Sequence, residues 1–388
     1  MCRFGARDTP PFEPTWEVDL QGDRIADLRS TSGSLISVYA SRPSPGGFGA
    51  LLSDLVKPIR EKSVALDRRV QKSVRADTDR IHELASDLEM DSAPGYAIFA
   101  SDIDGTFVLE ALGHPAPNLS TIGPRPYMRP LRASPRPIRS GIIVADRASA
   151  RTFVAMGGIV DEVYAEFDAD IGKRDWGGFS GYEEHTVRSR ADEMTSKLWR
   201  EAGETLSTRH GLKPFDYLAI GSQEETVEEI ARTLHPYLAR LQRATFTASP
   251  SSIGLPALRA EVEEMDAIMR RNRQEALAGR VCDTAWGGGN GIIGLAAVID
   301  AANVQAVEAL VVAGDFTRPG AICDSCGHLT RMAGRCPVCS EQLFGVDDIV
   351  GALMDAVVAT GGRVHQIDVA SPLDREGVGA LTRFPVPV

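Results

Sequence analysis

Apolar positions recur along the chain in two different periods, and the places where one period gives way to the other outline its elements. After a short helix in DRIADLRSTSG (23–33), the run SLISVYA (34–40) is apolar at most positions and predicts a buried strand. Leu66, Val70, Val74, Ile81, Leu84 and Leu88 then fall at helical spacing and predict one long amphipathic helix over 62–90. The runs YAIFAS and TFVLEAL return to strand patterning. A second group opens with GIIVA, ARTFVAM and IVDEVYAEFD, three strands in quick succession. It continues with helix formers from Tyr182 to about His210, among them Val187, Met194, Leu198 and Leu206, and with the buried strand FDYLAIG. SQEETVEEIARTL reads as a helix with Ser222 at its N-cap and acids in the first turn, and a further helix spans Leu255 to about Gly279. A third group holds the helix GIIGLAAVIDAA, the strand VEALVVAG, the helix DDIVGALMDAVVAT, the strand RVHQID and a last strand, GVGALTRF.

Strands followed by strand-helix alternation predict mixed sheets with helices packed on them, an α/β (α+β) multidomain chain. A length of 388 residues allows two or three domains. The stretch GPRPYMRPLRASPRPIRS (123–140) carries five arginines, five prolines and no acid, and reads as an interdomain linker. The expected division is a tail over 1–20, a first domain over 21–134, a middle domain with a mixed sheet over 135–275, and a C-terminal α/β sandwich over 276–388. No internal repeat is visible. Apolar content of 43% and charged content of 24% describe an ordinary water-soluble globular protein. No apolar run nears the roughly 20 residues of a membrane helix and no secretory leader opens the sequence, so the cytoplasm is the expected location, without membrane contact. The net charge of −11 argues against coating nucleic acid by bulk attraction.

Six cysteines are present, and four of them, Cys323, Cys326, Cys336 and Cys339, form the pattern C-x2-C-x9-C-x2-C. Two thiolate hairpins of this spacing converge on one tetrahedral ion, which predicts a structural zinc site in an insert over 320–342, worth about 10 kcal/mol to the folding of that insert. His328 is not needed as a ligand, and Cys2 and Cys282 read as free thiols. Asp102-x-Asp104-Gly105-Thr106 has the form of a phosphatase nucleophile motif, but a strand follows at once, which favours a hairpin turn. Gly289-x-Gly291-x-x-Gly294 has the form of a dinucleotide fingerprint after a poor strand, and is equally explained as an interdomain turn feeding a close-packed helix. Basic residues cluster at 57–80, at Arg125, Arg129, Arg132, Arg136 and Arg139, and at Arg270, Arg271 and Arg273. Such clusters are either solvated faces or phosphate contacts.

Between the third strand of the second group and its first helix lies KRDWGGFSGYEEH (173–185). This loop, together with LISVYA, AIFAS, GPRPYMRPL, ALVVAGDFTRPGAICDSCG…CPVC and GVGALTRF, resembles the archaeo-eukaryotic class 1 release factor and Pelota superfamily in its bacterial branch, from about Ile25 onward. The resemblance implies three domains, the last an α/β sandwich with a zinc-ribbon insertion. It also implies a factor that binds the ribosomal A site, with the first domain at the decoding centre and the middle one at the peptidyl transferase centre. Release factors present Gly-Gly-Gln there, where the glutamine positions the water that cleaves peptidyl-tRNA. Here the loop reads Gly177-Gly178-Phe179, and a phenylalanine cannot hydrogen-bond that water, so docking without hydrolysis is implied and no residue is expected to be catalytic. Lys173 and Arg174 would meet rRNA phosphates, Trp176, Phe179 and Tyr182 would stack on bases, and the glycines would let the backbone approach closely. A surface loop without a ligand is the plainer reading. The linker arginines Arg125, Arg129, Arg132 and Arg136 are further candidates for rRNA contact. No Asn-Ile-Lys-Ser motif is present, so codon reading is not implied. The superfamily's link with translational GTPases implies elongation factor Tu or a related GTPase as partner, and ribosome hibernation as the role. The alternative is a peptidyl-tRNA hydrolase acting in release or rescue, with Glu183, Glu184 or His185 replacing the glutamine.

Overall fold

The computed structural model describes residues 3–4, 24–133, 136–167 and 181–386, with the backbone alone over 3–4 and 181–191. The chain divides into two compact units, one of Met1–Thr15 with Arg136–Arg273 and the other of Trp16–Pro135 with Gln274–Val388. Three sheets carry the cores, and a small fourth sheet frames the cysteines, so the fold is mixed α/β throughout. Among the described residues no helix is long and apolar enough to cross a membrane.

The N-terminal lobe is an antiparallel sheet in the order β3-β2-β1-β4, from β1 (Leu35–Ser41), β2 (Gly95–Ser101), β3 (Thr106–Leu112) and β4 (Leu119–Gly123). Both faces of β1 are covered, which is why it reads as a near-continuous apolar run. Ile36, Val38 and Ala40 meet the helices, whereas Tyr39 packs with Phe99 and Met128 on the opposite face. The helix expected over 62–90 is three helices, α1 (Phe48–Ser63), α2 (Arg68–Glu83) and α3 (Ala85–Met90). Asp67 starts α2 by accepting from the amides of Arg69 and Val70, which breaks the helical path before it. Pro58 lies inside α1, yet Phe48, Leu52, Leu55 and Ile59 hold that helix on the sheet. The Asp102 motif is the β2–β3 turn, a 3₁₀ turn closed by Gly105 at φ 67°. Asp77 and Ser73 of α2 accept from the amides of Asp102 and Ile103 and fix that turn.

The middle unit is a sheet in the order β9-β8-β5-β6-β7, with Arg3–Phe4 added antiparallel on β9. Its strands are β5 (Arg139–Ala145), β6 (Ser149–Met156), β7 (Ile159–Phe167), β8 (Tyr217–Gly221) and β9 (Arg243–Phe246). The linker expected over 123–140 therefore ends inside a strand. Helices α5 (Gly181–Leu212) and α6 (Glu224–Thr233) bury Leu198, Trp199, Leu206 and Ile230 on one face. After the short α7 (Pro236–Ala239), α8 (Leu255–Trp286) covers the other with Leu258, Val262, Met265 and Met269. Gln223, not Ser222, is the N-cap of α6, because the Ser222 hydroxyl donates to the carbonyl of Ala145.

In the C-terminal lobe β10 (Gly291–Ile293), β11 (Val307–Ala313), β15 (Arg363–Ile367) and β16 (Val378–Thr382) form a sheet in the order β10-β16-β11-β15. Helices α9 (Leu295–Asn303) and α10 (Ile349–Ala359) cover one face, and the end of α8, which runs past the expected Gly279, covers the other with Ala278 and Val281. The segment 291–302 is thus a strand and then a helix, divided at Gly294, whose φ of 95° suits glycine. A side chain at Gly291 would collide with the backbone of Val281 and Ala285, so the glycine-rich run serves close packing against α8.

Burial pushes the Asp77 carboxyl up to about 6 in the fold, against about 3.9 unfolded. The folded state therefore gains stability from this group as pH falls from 7 towards 5, and loses that gain as pH rises through 6. Asp77→Asn, which keeps an acceptor for the Asp102 amide, is expected to unfold thermally at or above the wild-type temperature at pH 7.5 and to show a smaller gain at pH 5. An equal loss at both pH values would show that the carboxylate itself supports the turn.

Candidate functional site

The four cysteines sit at two turns carried by β12 (Gly320–Ile322), β13 (Leu329–Thr330) and β14 (Phe344–Val346), a three-stranded sheet in the order β13-β12-β14. The turns repeat one construction. In the first, the Gly327 amide donates to the Cys323 carbonyl at 2.8 Å and the Cys323 amide to the His328 carbonyl at 2.9 Å. In the second, the Ser340 amide donates to Cys336 at 2.9 Å and the Cys336 amide to Glu341 at 2.8 Å. Each closes on a left-handed residue, Gly327 at φ 76° and Ser340 at φ 65°. All four Sγ atoms lie within 4.8 Å of one another, with Cys323–Cys339 at 3.3 Å, Cys326–Cys336 at 3.5 Å and Cys326–Cys339 at 3.6 Å.

Four sulfurs about 2.3 Å from one ion are about 3.8 Å apart, so this donor set fits a tetrahedral zinc with little adjustment. Bound zinc would cross-link the two turns and leave no position for a substrate or water. His328 gives the site its carbonyl, and the cluster is of cysteines alone. Asn303, at the end of α9, holds the module to the lobe: its side chain donates to the Leu329 carbonyl and accepts from the Leu329 amide, both at 2.9 Å. Spacing revealed the cysteines, but Asn303 carries no local signal, since its partner is 26 residues away.

The other candidate residues fare differently. Lys173, Arg174, Trp176, Gly177, Gly178 and Phe179 lie outside the described residues, as does the side chain of Tyr182. Their segment joins β7, which ends at Phe167, to α5, which begins at Gly181. The linker arginines, expected to be unopposed, each face a carboxylate. Arg125 lies 3.3 Å from Asp324, Arg129 3.0 Å from Asp348, Arg132 3.5 Å from Asp355 and Arg136 3.9 Å from Asp216. Their partners are far along the chain, which hid the pairing from the sequence. Arg139 stacks 4.4 Å over the Phe215 ring, and Arg273 pairs with Asp216 at 3.1 Å. By contrast Arg68, Arg69, Lys72 and Arg75 of α2 are exposed, with no ion pair among the described residues.

No family model and no curated protein matches the chain. Among solved structures it is similar to the archaeal translation termination factor aRF1, at 15% identity over 93% of this chain and 96% of that one, with a TM-score of 0.26. Pelota of Archaeoglobus fulgidus is 17% identical over 76% of this chain and 80% of that one, with a TM-score of 0.35. A ribosome-bound archaeal Pelota described with ABCE1 is 15% identical over 92% of both chains, with a TM-score of 0.41.

The likeness of the two cysteine turns gives opposite expectations for their closing residues. Ser340→Gly relieves a left-handed strain of about 1 kcal/mol and is expected to raise the chelator concentration that strips the metal about fivefold, whereas Gly327→Ala lowers it by a similar factor. Shifts of both variants in one direction, followed by zinc release to a chromogenic chelator, would contradict this construction.

Proposed function

We propose that this chain is a ribosome-associated translation factor of the release-factor and Pelota type, allied to the bacterial hibernation factor Balon. It occupies the A site of idle ribosomes without hydrolysing peptidyl-tRNA. The observation that carries the reading is the sequence Gly177-Gly178-Phe179 between β7 and α5, where the resembling family places Gly-Gly-Gln. The two glycines keep the capacity for close backbone approach, and the aromatic ring removes the hydrogen-bonding group that hydrolysis needs.

The distribution of charge supports the same reading. A chain of net charge −11 repels RNA in bulk, so contact has to be made by localised cations. Arg68, Arg69, Lys72 and Arg75 on one exposed stretch of α2 are such a group, whereas Arg125, Arg129 and Arg132 are already neutralised within the protein. RNA contact in the N-terminal lobe is therefore assigned to α2 instead of the arginine-rich segment. Elongation factor Tu or a related GTPase is the proposed delivery partner, and zinc the structural metal.

Glu183, Glu184 and His185 directly after the loop give the hydrolase alternative its only chemistry. Peptidyl-tRNA release on programmed ribosomes separates the two. Wild type is expected to release nothing above background, and Phe179→Gln to gain release on the order of a hundredfold through a positioned water. Release by wild type that Glu184→Gln abolishes would establish the hydrolase instead.

A further inference from the structure

The arginine-rich segment is where the two lobes of the larger unit meet. Tyr39 donates to the Tyr127 carbonyl at 2.6 Å, and the Tyr127 amide donates to Ser37 at 3.0 Å, so the segment is seated on β1. From there Tyr127 and Arg129 reach Asp348 at 2.8 and 3.0 Å, while Arg132, at the end of the single helical turn α4 (Arg129–Arg132), faces Asp355 of α10. Gly351 makes the approach possible. A side chain there would come within 3.2 Å of the Tyr127 ring and 3.6 Å of the Arg129 Cβ. Glycine inside a helix costs about 1 kcal/mol against alanine, so α10 gives up intrinsic stability at the point where the segment lies on it.

The remaining arm of this clamp comes from the metal module. Asp324 stands between the first two cysteines, and its carboxylate meets Arg125. Arg29 lies in the field of Arg125 and Asp324 alike. Arg125 Nε, Arg129 Nη2 and Arg132 Nε are buried with no hydrogen-bond partner among the described residues, Arg132 Nε facing Asp355 Oδ1 at 3.5 Å. The Arg125 and Asp324 side chains are 30% and 52% exposed, so this pair contributes modestly and its loss loosens the segment without unfolding it.

We propose that metal binding at the four-cysteine centre fastens the N-terminal lobe to the C-terminal lobe through Asp324. The loaded turn holds this carboxylate against Arg125, and loss of the metal frees that arm and loosens the segment 125–132. The metal centre is then a conformational control on how the two lobes are coupled, in addition to a local cross-link of its own module.

Hydrogen exchange on the full chain tests this, because the amides of Leu131, Arg132 and Ala133 are bonded only within the segment, to Met128 and Arg129. Removal of zinc with excess EDTA is expected to speed their exchange about tenfold or more. With zinc bound and its content unchanged, Asp324→Asn is expected to speed it about two- to fivefold. EDTA is expected to bring the variant and wild type to the same rate. Unchanged exchange at 131–133 in stripped wild type, while the amides of Cys323 and Cys336 lose protection, would overturn the proposal. Should stripping unfold the whole lobe, seen as lost protection in β1, the zinc-loaded variant decides: a rate equal to wild type overturns the coupling.

Discussion

The Asp348 carboxylate holds the larger unit together. Its Oδ1 accepts from the Val350 amide at 3.0 Å and the Thr317 hydroxyl at 2.9 Å, and its Oδ2 from the Tyr127 phenol and the Arg129 guanidinium. Four donors use the acceptor capacity of one carboxylate, which is what a charge with 12% of its side chain exposed requires. Burial and the neighbouring carboxylate hold the Tyr127 phenol well above its ordinary range, so it remains a donor. One side chain thereby caps α10, fixes the turn after β11 and anchors the N-terminal lobe. The metal module leans on the same place, since Gly320 of β12 passes so close to Ile349 that a Cβ would meet it at 2.7 Å.

The middle unit uses the same solution once. Asp216, 6% exposed at its side chain, accepts from the Arg139 amide at 2.7 Å and from Arg273, with Arg136 beyond. Arg125, Arg129, Arg132 and Arg136 therefore act mainly as counter-ions to aspartates within their own units, from the nearly buried Asp216 to the half-exposed Asp324. The cations of the arginine-rich segment are consumed internally, whereas Arg68, Arg69, Lys72 and Arg75 of α2 stay exposed. That division of charge suits docking at a few selected phosphates better than general adhesion.

Much of the fold was legible because it is local. Strand runs such as SLISVYA and VEALVVAG, the repeated cysteine spacing, and the Asp-Gly turn at 104–105 each carry their signal within a few residues. The sequence is silent where a distant partner decides the outcome. The apolar pattern over 62–90 shows no break because Asp67 acts as a cap only through the amides it takes, and Pro58 interrupts the helical pattern of α1. Arg129 reads as an unopposed cation because Asp348 lies 219 residues away, and Asn303 carries no local signal of its bond to Leu329. The four-cysteine cluster is legible from its spacing, whereas Gly177 and Gly178 stand out only through resemblance and lie outside the described residues.

Co-sedimentation of the purified protein with vacant bacterial ribosomes at near-physiological salt, with and without elongation factor Tu, tests the central claim most directly. The account predicts stoichiometric pelleting that weakens when Gly177 and Gly178 are each replaced by Trp, and again when Arg68, Arg69, Lys72 and Arg75 are replaced by Gln. No pelleting of wild type under either condition would contradict a ribosomal role.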